Sequence, residues 1–416
     1  MVAERSWPDG RRFAGGGAGA AVQRPAFRPG VAAEPASLSR PRIAYVINSV
    51  EGGGASQPVP AIARVLRDGG AQVRLFALTP RDRRGLPAMA AAGLDPAVRE
   101  GGLTDHVAAA LWLRRELRAW GATHIWSSLS RATILSLILG PSMGLPVICW
   151  QHAAFLKPWN RRLMRLLSRR ATLWVGDSRS VTDLTAERLG VPLERLRCWP
   201  IFAADPAMVE ARPWQPGEWL RIGSLGRLHP VKGYDLLIAA LARLKAGGFT
   251  PATPVQFVIG GEGAERQRLE AMAASAALDT IAFPGFVDQP HAFLSNLHAY
   301  VQPSRSEGFC IAAHEALTAG LPVLASSVGE LPYSIRQDVT GLIVPPGDAD
   351  ALARALQTML SQPERLHAMG QAARADMLDR FSWAQFAATG GAILNEIVPV
   401  DAGRPAPGPA AMRRSA

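Results

Sequence analysis

The chain is predicted to be an α/β protein of two Rossmann-like doubly wound domains facing each other across a cleft. Three observations predict this. Short apolar runs alternate with helical patterns from about residue 42 onward, and such alternation builds a parallel sheet with helices on both faces. The alternation stops over 203–219, where Pro206, Pro213, Pro216 and Gly217 stand among two tryptophans. It then restarts. With 416 residues, 48% of them hydrophobic, the chain can fill two cores of ordinary size.

In the first half, 42–47 reads as a strand. The turn Gly52, Gly53, Gly54 leads into a helix ending near Arg67, and Pro58 and Pro60 predict an irregular start for it. Further strands are expected at 72–77, 123–126, 146–150, 172–175 and 195–199, with helices at 105–120 and 178–189. After the break, strands are expected at 219–225, 255–259, 280–283, 299–302, 322–325 and 340–344. Helices are expected at 234–245, 262–274 and 348–360, the last capped by Asp348, and further helices between 363 and 397. The resulting division is a tail over 1–40, an N-terminal domain over 41–202, a linker over 203–219 and a C-terminal domain over 220–380. A helix over 381–398 can return to the N-terminal domain, and a second tail covers 399–416. Both tails are expected to be disordered.

Charge is unevenly spread. Residues 1–200 hold 28 Lys+Arg against 14 Asp+Glu, and the remainder 17 against 20. A basic N-terminal half suits an anionic partner: a membrane surface, an acidic acceptor or nucleic acid. No recognised nucleic-acid module is present, so that partner is not expected. Arg161, Arg162, Arg165, Arg169 and Arg170 interleave with Leu163, Leu166 and Leu167, a basic amphipathic pattern that suits either anionic lipid or water. Three isolated cysteines, Cys149, Cys198 and Cys310, argue against a disulfide framework or a zinc site and fit a reducing cytoplasm. No secretory leader is expected. The uncharged stretch 132–150 is interrupted by Gly140, Pro141, Gly144 and Pro146, which favours a helix, a turn and a strand over a membrane span.

Residues suited to chemistry concentrate in the second half. Gly226 and Arg227 follow the first strand there, and Lys232 and Gly233 precede its helix. A planar guanidinium and a compact ammonium at a strand-to-helix junction suit a diphosphate. Two acids, Glu307 and Glu315, stand eight positions apart, the first in a loop and the second one turn into a helix. Carboxylates accept hydrogen bonds from vicinal diols, and the N–H groups of Phe309, Cys310 and Ile311 at the helix start suit a phosphate. Asp348 and Asp350 have the D-x-D form of a metal site, but helix capping explains both, and no metal is expected. Gly261 and Gly263 begin a dinucleotide fingerprint in which Arg266 takes the place of the third glycine, which counts against a NAD-dependent oxidoreductase.

The sequence resembles the retaining GT-B glycosyltransferases of family 4 (glycosyl transferases group 1). The matching stretches are GSLGRLHPVKGYDLLI over 223–238, IGGEG over 259–263, PGFV over 284–287, the Glu307 and Glu315 pair, GLPV over 320–323 and TGLIVPPGD over 340–348. The first half matches through its glycine turn and through Gln151-His152 after a strand. The resemblance implies GT-B architecture, with an N-terminal acceptor domain and a C-terminal donor domain. It implies that Arg227 and Lys232 bind the donor diphosphate, that Glu315 holds the ribose and that Glu307 contacts the transferred sugar. His152 would reach the donor sugar across the cleft. Gly53 and Gly54 would allow close approach of the first loop, and Gly261 and Gly263 would form the turn near the nucleobase. The function implied is metal-independent, retaining transfer from a nucleotide-diphosphate sugar, UDP-linked, to a glycan or lipid-linked acceptor in cell-surface polysaccharide biosynthesis. That activity needs no cofactor and places the protein in the cytoplasm or peripherally on the inner face of the membrane. A catalytically inactive relative that only holds the sugar nucleotide is the alternative, against which the intact Arg227, Lys232, Glu307 and Glu315 speak.

Overall fold

A computed structural model describes residues 40–51, 56–152 and 156–398. Gly53, Gly54 and, apart from Arg40, both expected tails lie outside the described residues. The N-terminal lobe is built on β1 (Arg42–Ile47), β2 (Gln72–Ala77), β3 (Ala97–Val98), β4 (His124–Ser128), β5 (Val147–Gln151), β6 (Leu173–Gly176) and β7 (Leu196–Cys198). They form one sheet in the order β3-β2-β1-β4-β5-β6-β7. The C-terminal lobe contains β8 (Leu220–Leu225), β9 (Val255–Gly260), β10 (Ile281–Gly285), β11 (Ala299–Gln302), β12 (Val323–Ser326) and β13 (Gly341–Val344), ordered β10-β9-β8-β11-β12-β13. Every strand pairing is parallel. Helices cover both faces, so the central strands read as unbroken apolar runs; Ile43 to Val46 of β1 are all buried.

In each sheet the winding direction reverses once, between β1 and β4 and between β8 and β11. The connections on either side of a reversal leave to opposite faces, and a crevice opens at the carboxyl ends of the two strands. The reversal points are where ligand-binding residues are expected to gather.

Some details differ from expectation. The helix Val59–Asp68 starts cleanly, because Pro60 falls in the first turn, where no backbone donor is needed. The helix expected from 262 starts at Arg266, since residues 261–265 form a loop packed over the 226–228 segment. The helices between 363 and 397 are Leu366–Arg380 and Trp383–Ile397, separated by Phe381 and by Ser382, whose side chain caps the second. Residues 132–150 resolve into the helix Ser130–Ser142, a turn and β5. Among the described residues no helix is long and apolar enough to cross a membrane.

The helix Trp383–Ile397 lies on the N-terminal lobe. Its Phe386 packs on Trp199 with ring centroids 5.0 Å apart, and Trp199 stacks on Trp150 at 4.8 Å. Glu396 binds Arg197 through two bonds of 2.7 and 2.9 Å. The linker is held on the other lobe by Arg374, which donates to the carbonyls of Pro206, Met208 and Thr318. One apolar core therefore runs from the inner face of the N-terminal sheet through Trp199 and Phe202 to Phe309 and Phe381.

Gly390 faces this core directly. A methyl group there would overlap the Trp199 ring and Val65, whereas one on the neighbouring Gly391 would meet nothing within 4 Å. Gly390→Ala is expected to cost about 1–3 kcal/mol as overpacking, and Gly391→Ala to be neutral or stabilising by up to ~1 kcal/mol. Thermal or urea unfolding of the two variants reads the difference; equal stability would show that the helix does not seat on Trp199.

Candidate functional site

The second reversal point collects most of the residues singled out in the sequence. The segment after β8 carries Arg227 and Lys232, and the segment after β11 carries Glu307 and leads into the helix Ile311–Thr318. Lys232 Nζ donates to Glu307 Oε1 at 2.8 Å, and both side chains are largely buried. The same oxygen accepts from Ser304 Oγ (2.6 Å) and Gln302 Nε2 (3.2 Å). Gln302 is anchored by Tyr300, whose hydroxyl lies 3.1 Å from Gln302 Oε1 and accepts the Leu225 N–H at 2.9 Å. Three donors thus converge on Oε1, which fixes the carboxylate and leaves Oε2 for a ligand hydroxyl. Burial works against the charge on Lys232, but the Glu307 carboxylate, through its charge and its hydrogen bond, more than offsets it, and the ammonium is held above its usual range. A positive charge stays in the site at any physiological pH.

Glu315 sits one turn into the helix and is almost fully buried. Its Oε1 accepts from Gln57 Nε2 of the other lobe at 3.1 Å, with His291 Nε2 4.0 Å away. Burial raises its pKa, and His291 and Gln57 only partly counter this. The N–H groups of Phe309, Cys310 and Ile311 find no acceptor among the described residues, so the helix start presents free donors. The Phe309 ring itself is core, stacked on His314 with centroids 3.9 Å apart. Burial lowers the His314 pKa to about 4, so that ring is neutral. Burial also pushes the Cys310 thiol far up, which leaves it uncharged.

Gly261 has φ +143°, and a side chain there would strike Gly226; one on Gly263 would strike Leu228. Both glycines let the loop after β9 lie directly on the loop that carries Arg227. Asp348 caps its helix by accepting the Ala351 N–H at 2.8 Å, and Asp350 pairs with Arg243 at 2.8 Å. Each acid of that D-x-D has a partner of its own, and among the described residues no group of three or more His, Cys, Asp or Glu could hold a metal.

Across the cleft, His152 follows β5 and its backbone carbonyl packs against Gly308. Its ring faces its own lobe: Nε2 is 2.9 Å from Ser128 Oγ, and Nδ1 is 3.4 Å from Asp177 Oδ2. Ser128 Oγ in turn lies 2.7 Å from Tyr45 OH. Glu330 joins the lobes beside Gly308, whose carbonyl accepts the Glu330 N–H at 2.9 Å. Its carboxylate accepts the Arg179 N–H (2.8 Å) and the Ser180 N–H (3.4 Å), at the start of the N-lobe helix Arg179–Leu189. Arg227 projects into a cavity of about 300 Å³ whose other walls come from the N-terminal lobe.

The structure therefore brings Lys232, Glu307, Glu315 and the 309–311 donors to one rim, whereas Arg227 lines the cavity against the N-terminal lobe and His152 meets the rim through its backbone carbonyl, not its ring. Ser304, Gln302, Gln57, Asp177 and Glu330 were not singled out from the sequence. Ser304 and Gln302 precede Glu307 closely and could have been inferred from their place in its loop. Gln57 and Glu330 meet their partners only through the fold.

Two family models match the chain: "Glycosyltransferase Family 4" over residues 52–202 and "Glycosyl transferases group 1" over residues 214–376. Together they cover both lobes.

This chain belongs to glycosyltransferase family 4.

Among its curated relatives in sequence, a D-inositol 3-phosphate glycosyltransferase of Segniliparus rotundus is 28% identical over 235 residues, 50% of this chain and 51% of that protein. A 2-deoxystreptamine N-acetyl-D-glucosaminyltransferase of Streptomyces fradiae is 29% identical over 280 residues, 62% and 65%. The chain thus spans about half to two-thirds of the length of these curated relatives. Among solved structures, Anabaena Alr3699/HepE in complex with UDP-glucose superposes with a TM-score of 0.74 at 18% identity, covering 85% of this chain and 99% of the other. That likeness establishes the two-lobed GT-B fold of the family.

The raised pKa of Glu315 has a consequence for stability. An acid whose folded pKa lies above its ordinary 4.5 costs the fold nothing below that value. Its cost grows as pH rises through the folded pKa and is complete above it. Glu315→Gln is expected to raise Tm at pH 7–8 while leaving it nearly unchanged near pH 4.5, because the amide oxygen can still accept from Gln57. A Tm gain that is the same at both pH values would mean that burial of the charge is not its source.

Proposed function

We propose that this protein transfers a sugar from a nucleotide-diphosphate sugar, UDP-linked, to a glycan or lipid-linked acceptor in cell-surface polysaccharide biosynthesis, with retention and without a metal or cofactor. The observation that carries the reading is the Lys232–Glu307 pair set beside the free N–H groups of 309–311. Breaking the glycosyl–phosphate bond builds negative charge on the departing diphosphate. Fixed cations and helix-start donors stabilise that charge without reorganising, each well-placed donor being worth roughly 3–4 kcal/mol. Arg227 and Lys232 supply the cations. Glu307, with one oxygen immobilised, offers the other to a sugar hydroxyl, and Glu315 would exchange Gln57 for the ribose hydroxyls. With cations already in place, the leaving group needs no divalent ion. Retention would follow from a nucleophile entering on the face the diphosphate leaves. His152 would reach the donor sugar by turning its ring away from Ser128.

Lys232→Ala and Glu307→Ala are each expected to lower transfer by about 10²-fold or more, measured as release of UDP from UDP-sugars. Thermal shift with UDP-, GDP- and ADP-sugars tests the base, because a cognate ligand stabilises the fold it binds. Near-normal turnover in both variants would place the site elsewhere.

The acceptor side of the proposal includes contact with an anionic membrane on its cytoplasmic face. The helix Pro158–Leu167 buries Met164 and Leu167 but leaves Trp159 70% and Leu166 78% exposed. Arg161, Arg162, Arg165, Arg169 and Arg170 are exposed along the same segment. An apolar ridge rimmed by cations suits an interfacial helix. The protein is expected to co-sediment with phosphatidylglycerol-containing vesicles but not with neutral ones. Combined Arg161→Gln, Arg162→Gln and Arg165→Gln should cut that binding by roughly tenfold or more, at about 1 kcal/mol per cation. Equal binding to neutral vesicles would exclude this contact.

A further inference from the structure

The cavity between the lobes has features that donor binding does not require. It lies at the carboxyl ends of β1, β2 and β4, where the N-terminal sheet reverses, and Arg227 closes it from the other lobe. Its charged walls on the N-terminal side are Arg81, Arg131 and Glu51, beside the hydroxyls of Ser49 and Thr79.

Arg131 is only 11% exposed. Its terminal nitrogens donate to Asp105 Oδ1 (2.9 Å) and to the Gly102 carbonyl (2.8 Å), but its Nε is buried with no partner among the described residues. That Nε is sealed from the cavity, so an anion there would meet Arg131 through the part of its side chain that lines the wall and through its charge. Asp105 does not cancel this charge, because it is also bound by the buried Arg99. Two guanidinium groups on one carboxylate leave a net positive charge behind the cavity wall. Arg81 is held by Glu51 at 3.2 Å, with both side chains exposed by two-fifths or more, so water weakens that pair and a ligand anion can replace it. Among the described residues Arg227 makes no ion pair of its own. The volume, about 300 Å³, suits a single sugar or polyol unit.

We propose that this cavity is the acceptor subsite and that the acceptor carries an anionic group, a phosphate ester or a carboxylate, held by Arg131 and Arg81 while Ser49 and Thr79 meet its hydroxyls. This rests on the transferase reading above. The anion would lie on the N-lobe side of Arg227, fixing one end of the acceptor so that a hydroxyl at the other end faces the donor sugar.

The test uses the full chain with its donor site saturated by UDP, so that added anions cannot occupy the diphosphate position. Inorganic phosphate, glucose 6-phosphate, glucuronate and glucose are titrated calorimetrically. At least one of the three anions is expected to bind tenfold or more tightly than glucose, with phosphate against glucuronate distinguishing the two kinds of anion. Arg131→Gln and Arg81→Gln should each weaken that anion about tenfold or more, the scale of a hydrogen bond to a charged group. Both should leave UDP affinity within twofold, which also reports that the variants are folded. Should Arg131→Gln fail to fold, Arg81→Gln at its exposed site carries the test alone. The proposal is overturned if glucose binds as tightly as every anion, if no anion binds, or if folded variants bind the anions unchanged. A wild-type chain that does not bind UDP would instead overturn the donor reading, and the two failures are therefore separable.

Discussion

A sheet whose strand order reverses leaves a crevice at the reversal, and the whole molecule is arranged around two such crevices held face to face. Reversal alone gives each lobe only an open groove on its surface. It is the apolar core through Trp150, Trp199, Phe202, Phe309 and Phe381 that sets one groove opposite the other. Several contacts between the lobes accompany that core: Gln57 on Glu315, the His152 carbonyl against Gly308, and Glu330 at the start of the helix Arg179–Leu189.

Within the cleft, charge is placed where packing alone would not place it. Glu307 is tolerated in a nearly buried position because Lys232, Ser304 and Gln302 all serve one of its oxygens. Glu315 is not so well served, and burial disfavours its charge. Sites that bind ligands commonly retain such local instability, because the groups that would relieve it would also block the ligand. Gln57 gives a partial solution, being a weak neutral partner that a diol can displace.

Much of this was legible in the sequence, for a physical reason. Parallel strands covered on both faces are short continuous apolar runs bounded by turn residues, so most of them were placed within a residue or two. The two-residue β3 is only half buried and shows no such run. The helix Leu86–Ala91 is a single short turn-and-a-half whose one buried side chain is Met89, too little to create a period. The donor rim was readable because Arg227, Lys232, Glu307 and Glu315 stand at strand-to-helix junctions of one sheet. Long-range partners were not readable. Gln57 and Glu315 are 258 positions apart. Arg374 looks like any basic residue on a helix until the fold brings three linker and helix-end carbonyls to it. Asp105 occupies the N-cap position of its helix but makes no side-chain cap bond there, because its carboxylate is taken by Arg99 and Arg131.

The two places where the chain passes between the lobes are tied to each other. After Phe202 the chain leaves the first lobe, and at Phe381 it comes back; the Ala204 N–H donates to the Phe381 carbonyl at 2.8 Å. Arg374 keeps the outgoing strand from swinging freely. Two adjacent pivots define a line, whereas a lone flexible tether defines only a point. The outgoing and returning segments thus join the lobes along one shared line, like the spine of a book. Residues on the two facing pages are set in register from that spine.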